Sequence, residues 1–143
     1  MKIVAKALLV DSSNNLLLLN RGFTHPHFPG HYDLLGGEVE EGEPWRVAVA
    51  REAEEEAGIS ISAHQLEKVF ERQHPTVLHV LYMSHLDEEK PSIKLSWEHS
   101  DFQWMTIEEI LGLPVPEGVD KYYLDVIEYL QSNNCTETRR VRL

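Results

Sequence analysis

Apolar and polar positions follow two different rhythms along this chain. Residues 3–10, "IVAKALLV", and 16–20, "LLLLN", are nearly continuous apolar runs parted by "SSNN", which predicts a hairpin of two strands, the second fully buried. Residues 21–31, "RGFTHPHFPGH", break the pattern with Gly, Pro, His and Phe and read as a loop; residues 32–37, "YDLLGG", read as a short strand running into a glycine pair. A helical rhythm then runs from about Trp45 to Ala57, with Pro44 suited to the first helical position and Gly58 to the C-terminal cap. Residues 65–73 and 76–86 alternate as strands split by Pro75, and 101–105 reads as a further strand. Residues 106–113 open with Thr106 and place Glu109 three residues on, a capping box. Residues 119–132 carry apolar positions at 119, 123, 124, 126, 127 and 130, an amphipathic helix. The expected organisation is one domain over residues 1–132 and a polar C-terminal tail over 133–143, with one mixed sheet covered by helices on both faces.

Composition keeps this picture and narrows the chemistry. At 143 residues, 42% hydrophobic and 26% charged, the chain has the make-up of a globular domain large enough for a real core. No apolar run approaches a membrane span, and the N-terminus reads as a strand rather than a signal peptide. The single cysteine, Cys135, excludes an intrachain disulfide and fits a reducing compartment, so a cytoplasmic location is expected. A net charge of −11 disfavours nucleic-acid and anionic-membrane partners, and the "RRVRL" terminus is too small a basic patch to reverse that. If the ligand is itself an anion, a cation must stand between it and the protein.

Residues 45–57 show where such a cation would bind. At about 100° per residue, Glu52, Glu55 and Glu56 share one arc of a helix, while Val49, Ala50, Ala53 and Ala57 fill the neighbouring arc and can pack on the sheet. That puts the carboxylates at the margin of the core. Three like charges so close raise one another's pKa and weaken the helix slightly, a cost that a bound cation removes; on this reasoning, Glu56→Ala relieves crowding with little loss of fold. Hard oxygen ligands suit Mg²⁺ or Mn²⁺. Acidic helix faces are often only solvated surface, so the flanking residues must decide. Among the eight histidines, His25 and His27 come nearest to a ligand pair, but no histidine pair joins a cysteine or a helix-face glutamate at zinc spacing.

The flanking residues form a long pattern. Gly37, Glu43, Arg51, Glu52, Ala53, Glu55, Glu56, Gly58 and Ile59 read G-x5-E-x7-R-E-A-x-E-E-x-G-I, which resembles the Nudix box, and every fixed position is present. The hairpin before the box and "WEHSDFQWMTIEEI" after it also resemble that family's frame. The resemblance implies an α+β fold, a Nudix-type α/β/α sandwich with a mixed β-sheet between helices. It also implies metal-dependent hydrolysis of the pyrophosphate linkage in a nucleoside diphosphate-linked substrate, with Mg²⁺ or Mn²⁺ as cofactor. A nucleoside triphosphate, as in MutT-like members, is the first candidate; a nucleotide sugar or ADP-ribose is the alternative. A non-catalytic nucleotide-binding sensor is the alternative of another class, although such modules usually have a degenerate box.

By the same resemblance, Glu52, Glu55, Glu56 and the carbonyl of Gly36 are the expected metal ligands. Glu52 is the expected general base, Glu98 is its rival, and Arg51 joins the catalytic set as a partner that fixes the carboxylates, with Glu43 beside it. Arg21 is an expected phosphate contact and Phe28 an expected stacking surface for a base. A homodimer is common among such proteins. Leu35 stands where the family often has proline, and Glu38 where it often has Lys or Arg, which touches loop shape and phosphate affinity rather than the metal site.

Overall fold

A computed structural model describes the backbone of residues 1–142 and the side chains through Asn133. Cys135 and the basic terminus therefore lie outside the described side chains. Among the described residues, strands β1 (Lys2–Val10), β2 (Leu16–Arg21), β3 (Tyr32–Asp33), β4 (Leu35–Glu38), β5 (Glu67–Gln73), β6 (Val77–His85) and β7 (His99–Met105) form one mixed sheet. Helices α1 (Trp45–Ala57), α2 (Ile107–Leu111) and α3 (Lys121–Arg142) complete the α+β sandwich.

The continuous apolar runs are explained by burial on both faces. In β1, Ala5, Ala7 and Leu9 pack toward α1, whereas Leu8 and Val10 pack toward α2 and α3. β2 divides the same way, with Leu17 and Leu19 on one side and Leu16 and Leu18 on the other. Strands with two covered faces have no polar side to show, so their sequences do not alternate. β1 runs parallel to β6 in register from Lys2 with Val77 to Val10 with His85. It also pairs antiparallel with β4, where Lys6 faces Gly36 and Ala5 faces Gly37.

The expected strand over 32–37 is two strands with different partners. β3 pairs with β2 and β4 pairs with β1. The break falls at Leu34, whose N–H donates to the Asp33 carboxylate at 2.8 Å instead of to a neighbouring strand. β4 then lies so close to β1 that a side chain on Gly36 would place its Cβ 2.4 Å from the Ala5 carbonyl oxygen; Gly36 also has φ of 125°. Only glycine fits there.

α1 occupies the expected residues. Pro44 sits one position before the helix, extended, rather than as its first residue. Gly58 ends the helix in the left-handed conformation at φ 68°, with its N–H on the Glu54 carbonyl. The side chains at 48, 53 and 57 are all alanine and all buried, so the helix can approach the sheet closely. The capping box of α2 is formed: the Glu109 N–H donates to Thr106 Oγ1 at 3.1 Å, and the Thr106 N–H donates to Glu109 Oε1 at 2.9 Å. α3 starts later than expected, at Lys121, and continues past residue 132. Its buried stripe contains Tyr122, Tyr123, Val126, Ile127 and Leu130, while Leu124 is exposed. Tyr122 takes the inward place because its hydroxyl donates to the Val80 carbonyl across the core.

Candidate active site

The approach of α1 to β4 builds the site. Glu56 falls on the buried side of the helix, three residues from Ala53, and not at the margin of the core; it is 5% exposed. Its Oε1 accepts the N–H of Gly36 at 2.8 Å. Burial pushes its carboxyl up to about 9, the nearby negative charges of Asp33 and Glu52 add to the rise, and the Gly36 bond offsets only part of it. One turn earlier, Glu52 leans over the glycine pair: a Cβ on Gly37 would lie 2.9 Å from Glu52 Oε2. Partial burial and a shared hydrogen bond with Glu55 raise the Glu52 carboxyl above the usual range, against the pull of Arg51.

Arg51 organises the outer part of this group. It holds Glu43 with two bonds, Nε to Oε2 at 2.8 Å and Nη2 to Oε1 at 3.0 Å. Its Nη1 reaches Glu52 at 2.8 Å and Glu55 at 3.2 Å. The fork geometry of a guanidinium suits this bridging task. Glu43 is held below the usual carboxylate range by those Arg51 hydrogen bonds.

Glu52 and Glu56 open onto a cleft of about 580 Å³, which Gly36, Arg21, Phe28 and Glu98 also line. The fold thus brings most of the expected site residues to one concavity, with Arg51 and Glu55 beside it. Glu98 is half-buried, and its carboxylate lies 3.7 Å from His25 Nε2. Phe28 is 38% exposed and has the Arg21 guanidinium 5.5 Å from its ring centre. Arg21 is buried, and each of its guanidinium nitrogens has a partner: Asp33 at 3.0 Å, the His27 carbonyl at 2.9 Å and Asp120 at 3.1 Å.

Those partners belong to a buried ionic group in the cleft wall that the sequence did not disclose. Asp33 accepts from Lys6, from Arg21 and from His99 Nε2 at 3.2 Å. Burial alone would raise the Asp33 carboxyl, but the Lys6 ammonium, His99 and Arg21 together hold it well below the usual range. A signal for it was present in the chain: Lys6 is the one charge in "IVAKALLV", and a charge in a strand buried on both faces requires a buried counter-charge.

The NUDIX domain model matches residues 2–127 of this chain. The chain belongs to the Nudix family. Proteins of this family are hydrolases of pyrophosphate bonds and generally use divalent metal ions. The fold is similar to the crystal structure of a MutT protein from Methanosarcina mazei Go1, with TM-score 0.69 and 28% identity, over 93% of this chain and 94% of that one. It is also similar to the Nudix domain of Shewanella oneidensis NrtR crystallised with ADP ribose, with TM-score 0.69 and 20% identity, over 91% of this chain and 86% of that one. Among curated proteins, an uncharacterised Nudix hydrolase of Pseudomonas aeruginosa is 43% identical over 53 residues; the match covers 36% of this chain and spans 31% of that relative's length. No described helix of this Nudix protein is long and apolar enough to cross a membrane.

Proposed function

We propose that this Nudix protein hydrolyses the pyrophosphate linkage of a nucleoside diphosphate-linked substrate, a nucleoside triphosphate before others, and that it requires Mg²⁺ or Mn²⁺. The observation that carries the reading is the placement of Glu52 and Glu56, one helical turn apart, on a single cleft beside Gly36 and Gly37. The residues present fit a hard divalent ion. Glu52, Glu55, Glu56 and the Gly36 carbonyl offer oxygen donors only, and the Lys6 ammonium, taken up by Asp33, does not offset the burial that keeps the Glu56 carboxyl protonated near neutrality. Bound there, the ion would neutralise the diphosphate and acidify a water.

The chain's own groups do the rest. Glu52, its affinity for protons raised by burial, orients the attacking water in line with phosphorus and takes its proton. Arg51 keeps Glu52 and Glu55 in fixed rotamers by bonding both from one nitrogen. Glu98, on the same cleft, is the rival base. Phe28 offers an exposed ring for stacking on the base. Arg21 adds positive charge to the cleft wall, and with every guanidinium nitrogen already partnered its pull on phosphate is long-range. A second reading, hydrolysis of a nucleotide sugar or ADP-ribose, is favoured by the extent of the cleft, which takes in Thr76, Val77 and His79 as well as the carboxylates.

The test is turnover of a nucleotide panel with Mg²⁺, with products identified by mass. A triphosphate should give monophosphate and pyrophosphate; ADP-ribose should give AMP and ribose phosphate. Glu52→Gln should lower turnover by roughly 10²–10⁴-fold with an unchanged unfolding curve. Metal binding with no turnover on the whole panel would replace the enzyme by a nucleotide sensor. A pH–rate profile whose acidic limb disappears in Glu98→Gln and survives in Glu52→Gln would move the base to Glu98.

A further inference from the structure

A second group of side chains able to ligate a metal stands on the β5–β6 turn, β6 and α3 rather than on α1. His74, in the turn between β5 and β6, points its Nε2 at Asp125 Oδ2, 2.8 Å away. His79, on β6, points its Nδ1 at the same oxygen from 2.7 Å. The three atoms lie within 4.8 Å of one another. We propose that His74, His79 and Asp125 form a site for a divalent ion of the zinc class, with water completing a four-coordinate shell.

The convergence itself argues for an ion. A carboxylate serving only as a hydrogen-bond hub would spread its donors over both oxygens. Here both imidazoles aim at Oδ2, and among the described residues Oδ1 has only the Arg72 guanidinium at 3.7 Å. Nitrogen, nitrogen and oxygen around one point make a donor set of borderline softness, which suits Zn²⁺ and disfavours Mg²⁺. The all-oxygen group of α1 has the reverse preference. The two sites therefore sort ions by chemistry.

The scaffold is rigid where a site needs it to be. His79 is held in the sheet between Val4 of β1 and Arg72 of β5. The His74 turn is closed by its N–H on the Val77 carbonyl at 2.8 Å. Asp125 lies on the inner side of α3, next to Val126 in the core. His79 and Asp125 are buried, which strengthens charge interactions, while the His74 side chain is 21% exposed and leaves one side open for the ion and its water. Binding requires each ligating nitrogen to give up its proton, which neutral imidazoles do by moving it to the other ring nitrogen. The Asp125 oxygen must also move outward by a fraction of an ångström to admit the ion between it and the rings. The Arg72 guanidinium beside the group has its Nη1 drawn off by Glu128.

The ion would join two walls of one cleft. Thr76, Val77 and His79 line it from the β5–β6 side, and Asp120 and Tyr122 line it from the start of α3. The proposal does not depend on the hydrolytic reading, because its test reads binding and not turnover. The full chain is stripped with a chelator, saturated with Mg²⁺ to fill the oxygen site, and titrated with Co²⁺ and then Zn²⁺. One equivalent of Co²⁺ with the intense visible bands of a four-coordinate centre is expected, displaced by Zn²⁺ and retained in Glu52→Gln. His74→Ala, at a partly exposed turn, should weaken binding on the order of 100-fold, and Asp125→Asn should do the same. Zn²⁺ affinity unchanged in His74→Ala, loss of the bands in Glu52→Gln instead, or no binding under saturating Mg²⁺ would each overturn the proposal.

Discussion

Glu56 is a carboxylic acid in a place where a carboxylate is expensive. Its ordinary pKa is 4.5 and its value in the folded protein is pushed up to about 9, so the native state keeps a proton that the unfolded chain releases between those limits. Metal-free protein should therefore be most stable below about pH 4.5 as far as this group is concerned, and lose that contribution as pH climbs toward 9. Glu56→Gln keeps an oxygen for the Gly36 N–H and has nothing to titrate, so its melting temperature should fall less across the same interval. Melting curves of metal-free parent and variant from pH 5 to pH 9 check this; parallel curves would refute it. For the truncation Glu56→Ala, the buried bond to Gly36 argues for a loss of stability in place of the relieved crowding expected from the sequence. The truncation strands the Gly36 N–H in a buried site, which costs about 1–3 kcal/mol, and leaves a void besides.

Among the elements, the contact of β4 with β1 decides whether the glutamates meet the cleft at all. Gly36 has backbone on the side where a Cβ would go, and its φ is in the left-handed region. Gly36→Ala should destabilise the protein by about 3 kcal/mol or more in urea unfolding and abolish high-affinity Mg²⁺ binding, because β4 must move off β1 to make room. Wild-type stability in that variant would show that the strand pair yields easily. α1 was legible because its evidence is local: alanines at helical spacing, a proline before it and a glycine after it. The change of partner at Leu34 was not, since it depends on the Asp33 carboxylate taking the Leu34 N–H, a choice that Lys6, Arg21 and His99 impose from other strands. The His74, His79 and Asp125 group was hidden for a similar reason. Its third member joins the other two only when α3 is laid across the sheet, so no spacing in the chain foretells it.

Across the whole molecule, Asp33 is the junction. Through Lys6, Arg21 and His99 it connects β1, β2 and β7, and through Arg21 it reaches Asp120 at the start of α3. Asp33→Asn would leave two buried cations short of a counter-charge, a loss of about 3–5 kcal/mol in denaturant unfolding. The effect should shrink in acid. The folded pKa of Asp33 is depressed, so its contribution is present above the ordinary value of 3.8 and disappears as pH falls below it. A variant as stable as the parent at neutral pH would show that Asp120 alone suffices for Arg21.

The parallel pairing of β1 with β6 has a consequence for how the cleft comes into being. The first strand of the chain cannot find that neighbour until the segment carrying α1, β5 and the intervening turns has been made and has folded back over it. Chain synthesis therefore delivers the acidic helix after β1 and after β4, which carries the glycine pair it leans on, and before β6 and α3, which form the far side of the cleft. The half of the cleft that bears the glutamates is thus assembled from neighbours in the chain, and the wall of Thr76, Val77, His79, Asp120 and Tyr122 is added to it afterwards.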